Sequence, residues 1–212
     1  MVVIMQGKGL GNGSSTHGKQ NYNINTEKNM KWKIDKSFSF CYGHRVHNQS
    51  LNADYSEDRC LACRHLHGHE GLVKVHLESD KLERGMVTDF KHLNWFKTFL
   101  DDTLDHKFIM DMNDPLIPHE VPDFCKDGRL DLEKLEWHER GYYTPKLEFI
   151  VGQGDAIYEK YEGFIFVQFV PTSENLAAWL MEVAREKMKG LGVNVVSVDY
   201  WETPKSHCNV SV

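Results

Sequence analysis

His67-Gly68-His69-Glu70-Gly71-Leu72-Val73-Lys74-Val75-His76-Leu77-Glu78-Ser79 is the stretch on which the fold turns. Across 72–79 apolar and polar side chains alternate, with Val73, Val75 and Leu77 on one face, the period of a half-buried strand. That strand is predicted to begin near His67. Side chains two apart on a strand point the same way, so His67 and His69 can offer two imidazoles side by side, with Gly68 adding no bulk between them. Upstream, Trp32, Ile34, Phe38 and Phe40 take even positions between 32 and 41 and predict a partner strand, followed by a polar loop over 47–59.

Downstream the period changes. Phe90, Leu93, Phe96, Leu100 and Leu104 recur at threes and fours, predicting a helix over 89–101 with Asp89 as its cap. A second helix is predicted from Ser173 to about Lys189. Pro171-Thr172-Ser173-Glu174 supplies its entry, Leu176, Leu180 and Val183 its apolar stripe, and Gly190 its stop. Residues 193–201 form a Val-rich strand, and the last residues one more. Between the helices, 107–170 reads as an insertion with β-like runs at 147–151 and 164–170, neither able to bury a face alone. The expected fold is α+β, an antiparallel sheet with two helices on one face. Residues 1–30, rich in polar residues and glycine after a short apolar start, are expected to be a flexible extension. Residues 31–212 are expected to form a single catalytic domain carrying the insertion at about 107–170.

Composition narrows the function. The chain has 212 residues, 41% hydrophobic, and a net charge of −6. Without a basic excess, nucleic-acid partners are excluded from the expectation. The apolar start Met1-Val2-Val3-Ile4-Met5 is too short for a signal peptide or a membrane span. Five cysteines, an odd count, argue against a disulfide framework, so a cytoplasmic protein with reduced thiols is expected.

Six of the twelve histidines lie between 44 and 76. His44, just past the end of the first strand, can join His67 and His69 if the two strands pair. Three neutral imidazoles leave a fourth position open, as in a catalytic rather than a structural zinc site. His47, His65 and His76 are read as ordinary surface histidines, although His65 shares the parity of His67 and His69. Cys60 and Cys63 allow a Cys₂His₂ site or a redox pair. The short gap to His67 disfavours the first, and the lack of a βαβ pattern disfavours the second. A thiol beside a metal can instead serve as base or nucleophile, and Cys63, nearer the histidines, suits that role better.

Five motifs in order carry a resemblance: Phe40-Cys41-Tyr42-Gly43-His44-Arg45, Cys63-Arg64-His65-Leu66-His67-Gly68-His69, Leu104-Asp105-His106-Lys107, Pro171-Thr172-Ser173-Glu174-Asn175-Leu176 and Glu202-Thr203-Pro204. The chain resembles the 6-pyruvoyltetrahydropterin synthase family, over roughly 31–106 and 170–205. It looks most like the bacterial 6-carboxytetrahydropterin synthase branch of queuosine and 7-deazaguanine biosynthesis, where the thiol likewise stands four residues before His-Gly-His.

The resemblance implies a tunnelling fold, ββααββ, whose subunits close into a barrel as trimers or hexamers with active sites at subunit interfaces. It implies Zn2+ on His44, His67 and His69, and Cys63 as catalytic thiol. It also implies that Asp105 and His106 complete the proton-handling set from a neighbouring subunit. By the same resemblance Glu202 is expected to anchor the pterin, and Thr172, Ser173 and Glu174 to line its pocket. The implied substrate is a small-molecule pterin triphosphate, 7,8-dihydroneopterin triphosphate, converted to 6-carboxytetrahydropterin, acetaldehyde and triphosphate. A pyruvoyl-type triphosphate lyase and a non-catalytic pterin- or zinc-binding homologue are the alternatives. The sequence departs from the family's pattern in its N-terminal extension, its long 107–170 segment and the extra thiol of Cys60.

Overall fold

A computed structural model describes residues 30–212; the extension expected over 1–30 lies, but for its last residue, outside the described residues. The chain runs β1 (Trp32–His44), β2 (His67–Ser79), α1 (Asn94–Thr103), β3 (Lys107–Asp111), α2 (Ile117–Glu120), β4 (Cys125–Lys126) and β5 (Arg129–Leu130). It continues through β6 (Leu135–His138), β7 (Tyr142–Pro145), α3 (Asp155–Glu162), β8 (Phe164–Val167), α4 (Ser173–Met188), β9 (Asn194–Thr203) and β10 (Ser206–Ser211). Eight strands form one sheet in the order β10-β9-β2-β1-β3-β8-β7-β6, while β4 and β5 pair only with each other.

The β1–β2 hairpin is the centre of this sheet, in antiparallel register from Trp32 opposite Ser79 to His44 opposite His67. Phe38, Phe40 and Tyr42 on β1 and Val73, Val75 and Leu77 on β2 are buried on the face that α1 and α4 cover. Each fully buried side chain of this size contributes about 1.5–3 kcal/mol. Phe96, Phe99 and Leu100 of α1 and Leu176, Ala177, Leu180 and Ala184 of α4 fill the opposing layer. Asp89 caps a 3-10 turn, Phe90–Leu93, that leads into α1, its carboxylate accepting from the Lys91 N–H. Thr172 caps α4, its hydroxyl accepting from the Asn175 N–H.

Four expectations are corrected. First, the sheet is mixed: β3 runs parallel to both β1 and β8. Second, the sheet has eight strands where ββααββ implies four, because the 107–170 segment joins it. That segment lays β3, β8, β7 and β6 onto the main sheet, and it holds its own core of Met110, Ile117, Val121, Phe124, Tyr161 and Phe166. Third, residues 147–150 form a 3-10 turn rather than a strand. Fourth, helix α4 passes through a 3-10 turn beyond Gly190 and stops at Gly192, which takes the left-handed conformation at φ 66°. Only glycine enters that region without a Cβ penalty.

Candidate metal centre and active site

Strand parity brings three imidazoles together. His44 continues the buried even column of β1, and His67 and His69 continue the odd column of β2, so all three reach the end of the core-facing layer. The ladder sets His44 opposite His67 and Tyr42 opposite His69. His44 is fully buried, and its Nε2 lies 3.1 Å from Nε2 of His67. One ligand atom from each of His44, His67 and His69 falls within 4.8 Å of the others.

The tautomers follow from the outer contacts. Nδ1 of His44 lies 2.6 Å from the Pro171 carbonyl, and Nδ1 of His67 lies 2.8 Å from the His65 carbonyl. A carbonyl only accepts, so each Nδ1 carries the proton and, in the neutral ring, each Nε2 presents a lone pair. Two lone pairs facing each other repel unless a cation takes both. Nε2 of His69 is buried with no hydrogen-bond partner among the described residues. Burial holds the His69 pKa below its usual value, against the opposing effect of the Glu202 carboxylate. In a tetrahedral zinc site with Zn–N near 2.0–2.1 Å, ligand nitrogens stand roughly 3.3 Å apart. The donor set therefore fits a divalent metal. The carbonyl partners of Nδ1 are the outer contacts that orient such ligands.

Glu202, on β9, adds a carboxylate to this cluster. Its Oε1 lies 3.3 Å from Nε2 of His44 and 3.6 Å from Nε2 of His69. Contact with His44 is the largest influence holding its pKa below the ordinary carboxylate value, against the opposing effect of burial.

Cys63 sits in a 3-10 turn, Ala62–Arg64, and is partly exposed. It lines a cavity of about 420 Å³ together with Thr172, Ser173, Glu174 and Glu202. Four residues singled out by motif as pocket lining and the candidate thiol thus share one space. Lys205 and His207 also line it. The motifs missed these two, whose only signal is closeness in sequence to Glu202. Cys60 is exposed and lies outside that lining. All five cysteines are free thiols, and among the described residues Cys60 and Cys63 join no group of converging metal ligands.

Asp105 and His106 are brought together elsewhere. The Asp105 carboxylate accepts from the Cys41 N–H at 2.7 Å and contacts Nδ1 of His106 at 2.9 Å. The backbone N–H of Cys41 is the main reason the Asp105 pKa is depressed. His106 adopts a left-handed backbone, φ 58°, and donates its own N–H to the Cys41 carbonyl at 2.7 Å. Its imidazole is 81% exposed. It borders an open groove of about 740 Å³ with Cys41, Gly43, Glu70 and Lys160, a groove that His67 and His69 also reach. Within one chain, His106 and Cys63 line different cavities.

His47, His65 and His76 contribute no imidazole to the cluster. His65 is exposed, contributing its carbonyl, His47 pairs with Asp111, and His76 contacts Asp199 at 2.5 Å. No helix among the described residues is long and apolar enough to cross a membrane.

Comparison with known proteins identifies the family. The family profile described as 6-pyruvoyl tetrahydropterin synthase matches residues 33–211. The 6-carboxy-5,6,7,8-tetrahydropterin synthase of Aquifex aeolicus is 33% identical over 189 residues, covering 84% of this chain and 96% of that protein. A solved structure of an uncharacterized Wolinella succinogenes protein is 54% identical, with a TM-score of 0.82 over 86% of this chain and 99% of the other. A Plasmodium vivax 6-pyruvoyltetrahydropterin synthase variant shares the fold at a TM-score of 0.51 and 15% identity, over 87% of this chain and all of that one. With the five motifs in order, three histidines converging at the end of the β1–β2 hairpin and a profile match over nearly all the described residues, the chain belongs to the 6-pyruvoyl tetrahydropterin synthase family.

Proposed function

We propose that this chain is a zinc-dependent 6-carboxy-5,6,7,8-tetrahydropterin synthase of queuosine or 7-deazaguanine biosynthesis. It converts 7,8-dihydroneopterin triphosphate and one water to 6-carboxytetrahydropterin, acetaldehyde and triphosphate. The observation that carries this reading is the cavity shared by Cys63, Thr172, Ser173, Glu174 and Glu202, whose Glu202 touches two of the three converging imidazoles. The Aquifex aeolicus relative bears the name of this activity.

In this proposal His44, His67 and His69 hold the metal. When bound, zinc supplies Lewis acidity toward the oxygens of the substrate side chain. Cys63 removes a carbon-bound proton of that side chain as a thiolate. Glu202 accepts from the two N–H donors of the pterin's guanidine-like edge, a charge-assisted pair. Thr172, Ser173 and Glu174 line the pterin pocket. His106, held by Asp105, moves protons on the opposite face. Its exposed imidazole and its separation from the Cys63 cavity support a reading in which it completes the site of a neighbouring subunit.

That arrangement requires a homo-oligomer, a trimer or hexamer closing tunnelling-fold sheets into a barrel. Residues 31–212 then act as one catalytic domain with the 107–170 insertion, in the cytoplasm.

The test is product identity. Zinc-loaded protein is incubated with 7,8-dihydroneopterin triphosphate, and pterin products and acetaldehyde are measured by mass spectrometry. The proposal expects 6-carboxytetrahydropterin with stoichiometric acetaldehyde. A pyruvoyl product without acetaldehyde, or turnover no faster than that of Cys63→Ala, overturns it.

A further inference from the structure

The 107–170 insertion reaches the segment that joins the metal ligand His44 to the Cys63 turn. Directly after His44, Nε of Arg45 lies 3.0 Å from Oδ2 of Asp114, and Nε2 of His47 lies 2.9 Å from Oδ2 of Asp111. Both carboxylates belong to the insertion, at the end of β3 and in the turn after it. Both are nearly inaccessible to solvent, Asp111 at 4% and Asp114 at 2%. The same segment grips the Cys63 turn from its other side. The Val46 N–H donates to the Cys63 carbonyl at 2.7 Å, and Nε of Arg64 donates to the Gln49 carbonyl at 3.0 Å.

Residues 45–49 are therefore held between two anchors. One is a pair of buried carboxylates from the insertion; the other is the turn bearing the candidate nucleophile. His47 is hydrogen-bonded to Asp111, while Arg45 and Asp114 make a close ion-pair contact without a hydrogen bond, and the burial of both carboxylates limits where these partners can sit.

We propose that Asp111 and Asp114 are positioning residues of the active site. Through Arg45, His47 and the backbone of Val46, they set the position of the Cys63 thiol relative to the imidazole of His44. The insertion is then part of the catalytic apparatus rather than an appendage. This rests on the function proposed above, but its spectroscopic test does not require turnover.

Asparagine is the informative replacement. The Oδ1 atoms of Asp111 and Asp114 also accept from the backbone N–H groups of Asn113 and Leu116, and an amide oxygen retains those turn contacts while removing the charge. The variants Asp111→Asn and Asp114→Asn are compared with Asp123→Asn, which removes the charge from the carboxylate that accepts from the Tyr161 hydroxyl within the insertion. Three quantities are measured on full-length protein: kcat and KM, the visible d–d absorption of the cobalt(II)-substituted form, and the rate of Cys63 alkylation by iodoacetamide from peptide mass mapping.

The expected result is a fall in kcat of about tenfold with KM little changed, the lower end of the range for disturbing the surroundings of a metal site. The cobalt band and the alkylation rate change in parallel, while Asp123→Asn leaves all three as in the wild type. Unchanged kcat, cobalt band and alkylation rate overturn the proposal, and so does the same loss in Asp123→Asn. Should the asparagine variants not fold, the partly exposed partner decides. His47→Gln keeps a donor for Asp111 and is expected to retain more activity and a more native cobalt band than His47→Ala; equal behaviour overturns the proposal. If wild-type protein does not turn over the pterin triphosphate, the function proposed above fails, while the cobalt band and the alkylation rate still test the clamp.

Discussion

His44 and His67 stand opposite each other in the last rung of the β1–β2 ladder, their Nε2 atoms 3.1 Å apart and both Nδ1 atoms bound to carbonyls. The arrangement points two lone pairs at one place and so costs free energy until a cation arrives. Replacing either histidine by alanine is expected to leave a folded protein that no longer retains zinc through dialysis. Metal content by plasma emission and far-ultraviolet circular dichroism on the same samples check both halves of this expectation.

Gly68 separates His67 from His69, and a Cβ built there would lie 2.9 Å from the Tyr42 carbonyl oxygen. Backbone cannot swing aside as a side chain does, so the β1–β2 ladder must shift at the rung that carries the ligands. Gly68→Ala is expected to weaken zinc affinity by about 10- to 100-fold, the range for a disturbed ligand environment. Competition with a chromophoric chelator measures it, and unchanged affinity would show that the close approach is not critical.

Cys63 lines the candidate pocket, whereas Cys60 is exposed and lies outside it. Cys63→Ala is expected to lower kcat by about 100-fold or more while zinc content stays at the wild-type level, as for loss of a group that transfers a proton. Cys60→Ala should change neither. Loss of zinc in the Cys63 variant would point instead to thiolate ligation.

Asp105 illustrates how a pKa shift becomes a pH dependence. Its folded pKa is lowered, chiefly by the Cys41 N–H, so its contribution to stability is present above the unfolded value and is lost as pH falls through the folded one. The unfolded value is about 3.9. The stability difference between wild type and Asp105→Asn is therefore expected to be flat between about pH 5 and 8 and to shrink below about pH 4. Urea titrations across that range test it. A difference that changes near neutrality would place the titration on another group.

The sequence showed the hairpin and its histidines clearly, because alternation fixes which face a side chain takes. Phe38 and Phe40 are buried as their even positions required, and the same parity carries His44 inward three residues beyond the expected strand end. Thr172 and Asp89 were legible as caps because a short polar acceptor before an apolar period has few other uses. The parallel pairing of β3 was not legible. Lys107–Asp111 is a short, largely apolar run, and the left-handed turn at His106 that aims it along β1 leaves no mark in composition. Nor were the Pro171 and His65 carbonyls that set the tautomers, since every residue has one. The clamp from Asp111 and Asp114 was equally hidden, for it joins residues whose neighbourhood exists only once β3 is in the sheet.

X-ray absorption at the zinc edge of the purified wild-type protein is the most direct measurement. One metal per chain should show three imidazole nitrogens at about 2.0–2.1 Å and a light oxygen or nitrogen neighbour in the remaining position. A sulfur neighbour at about 2.3 Å, or the same spectrum from a chain lacking His44, His67 and His69, would contradict the site described.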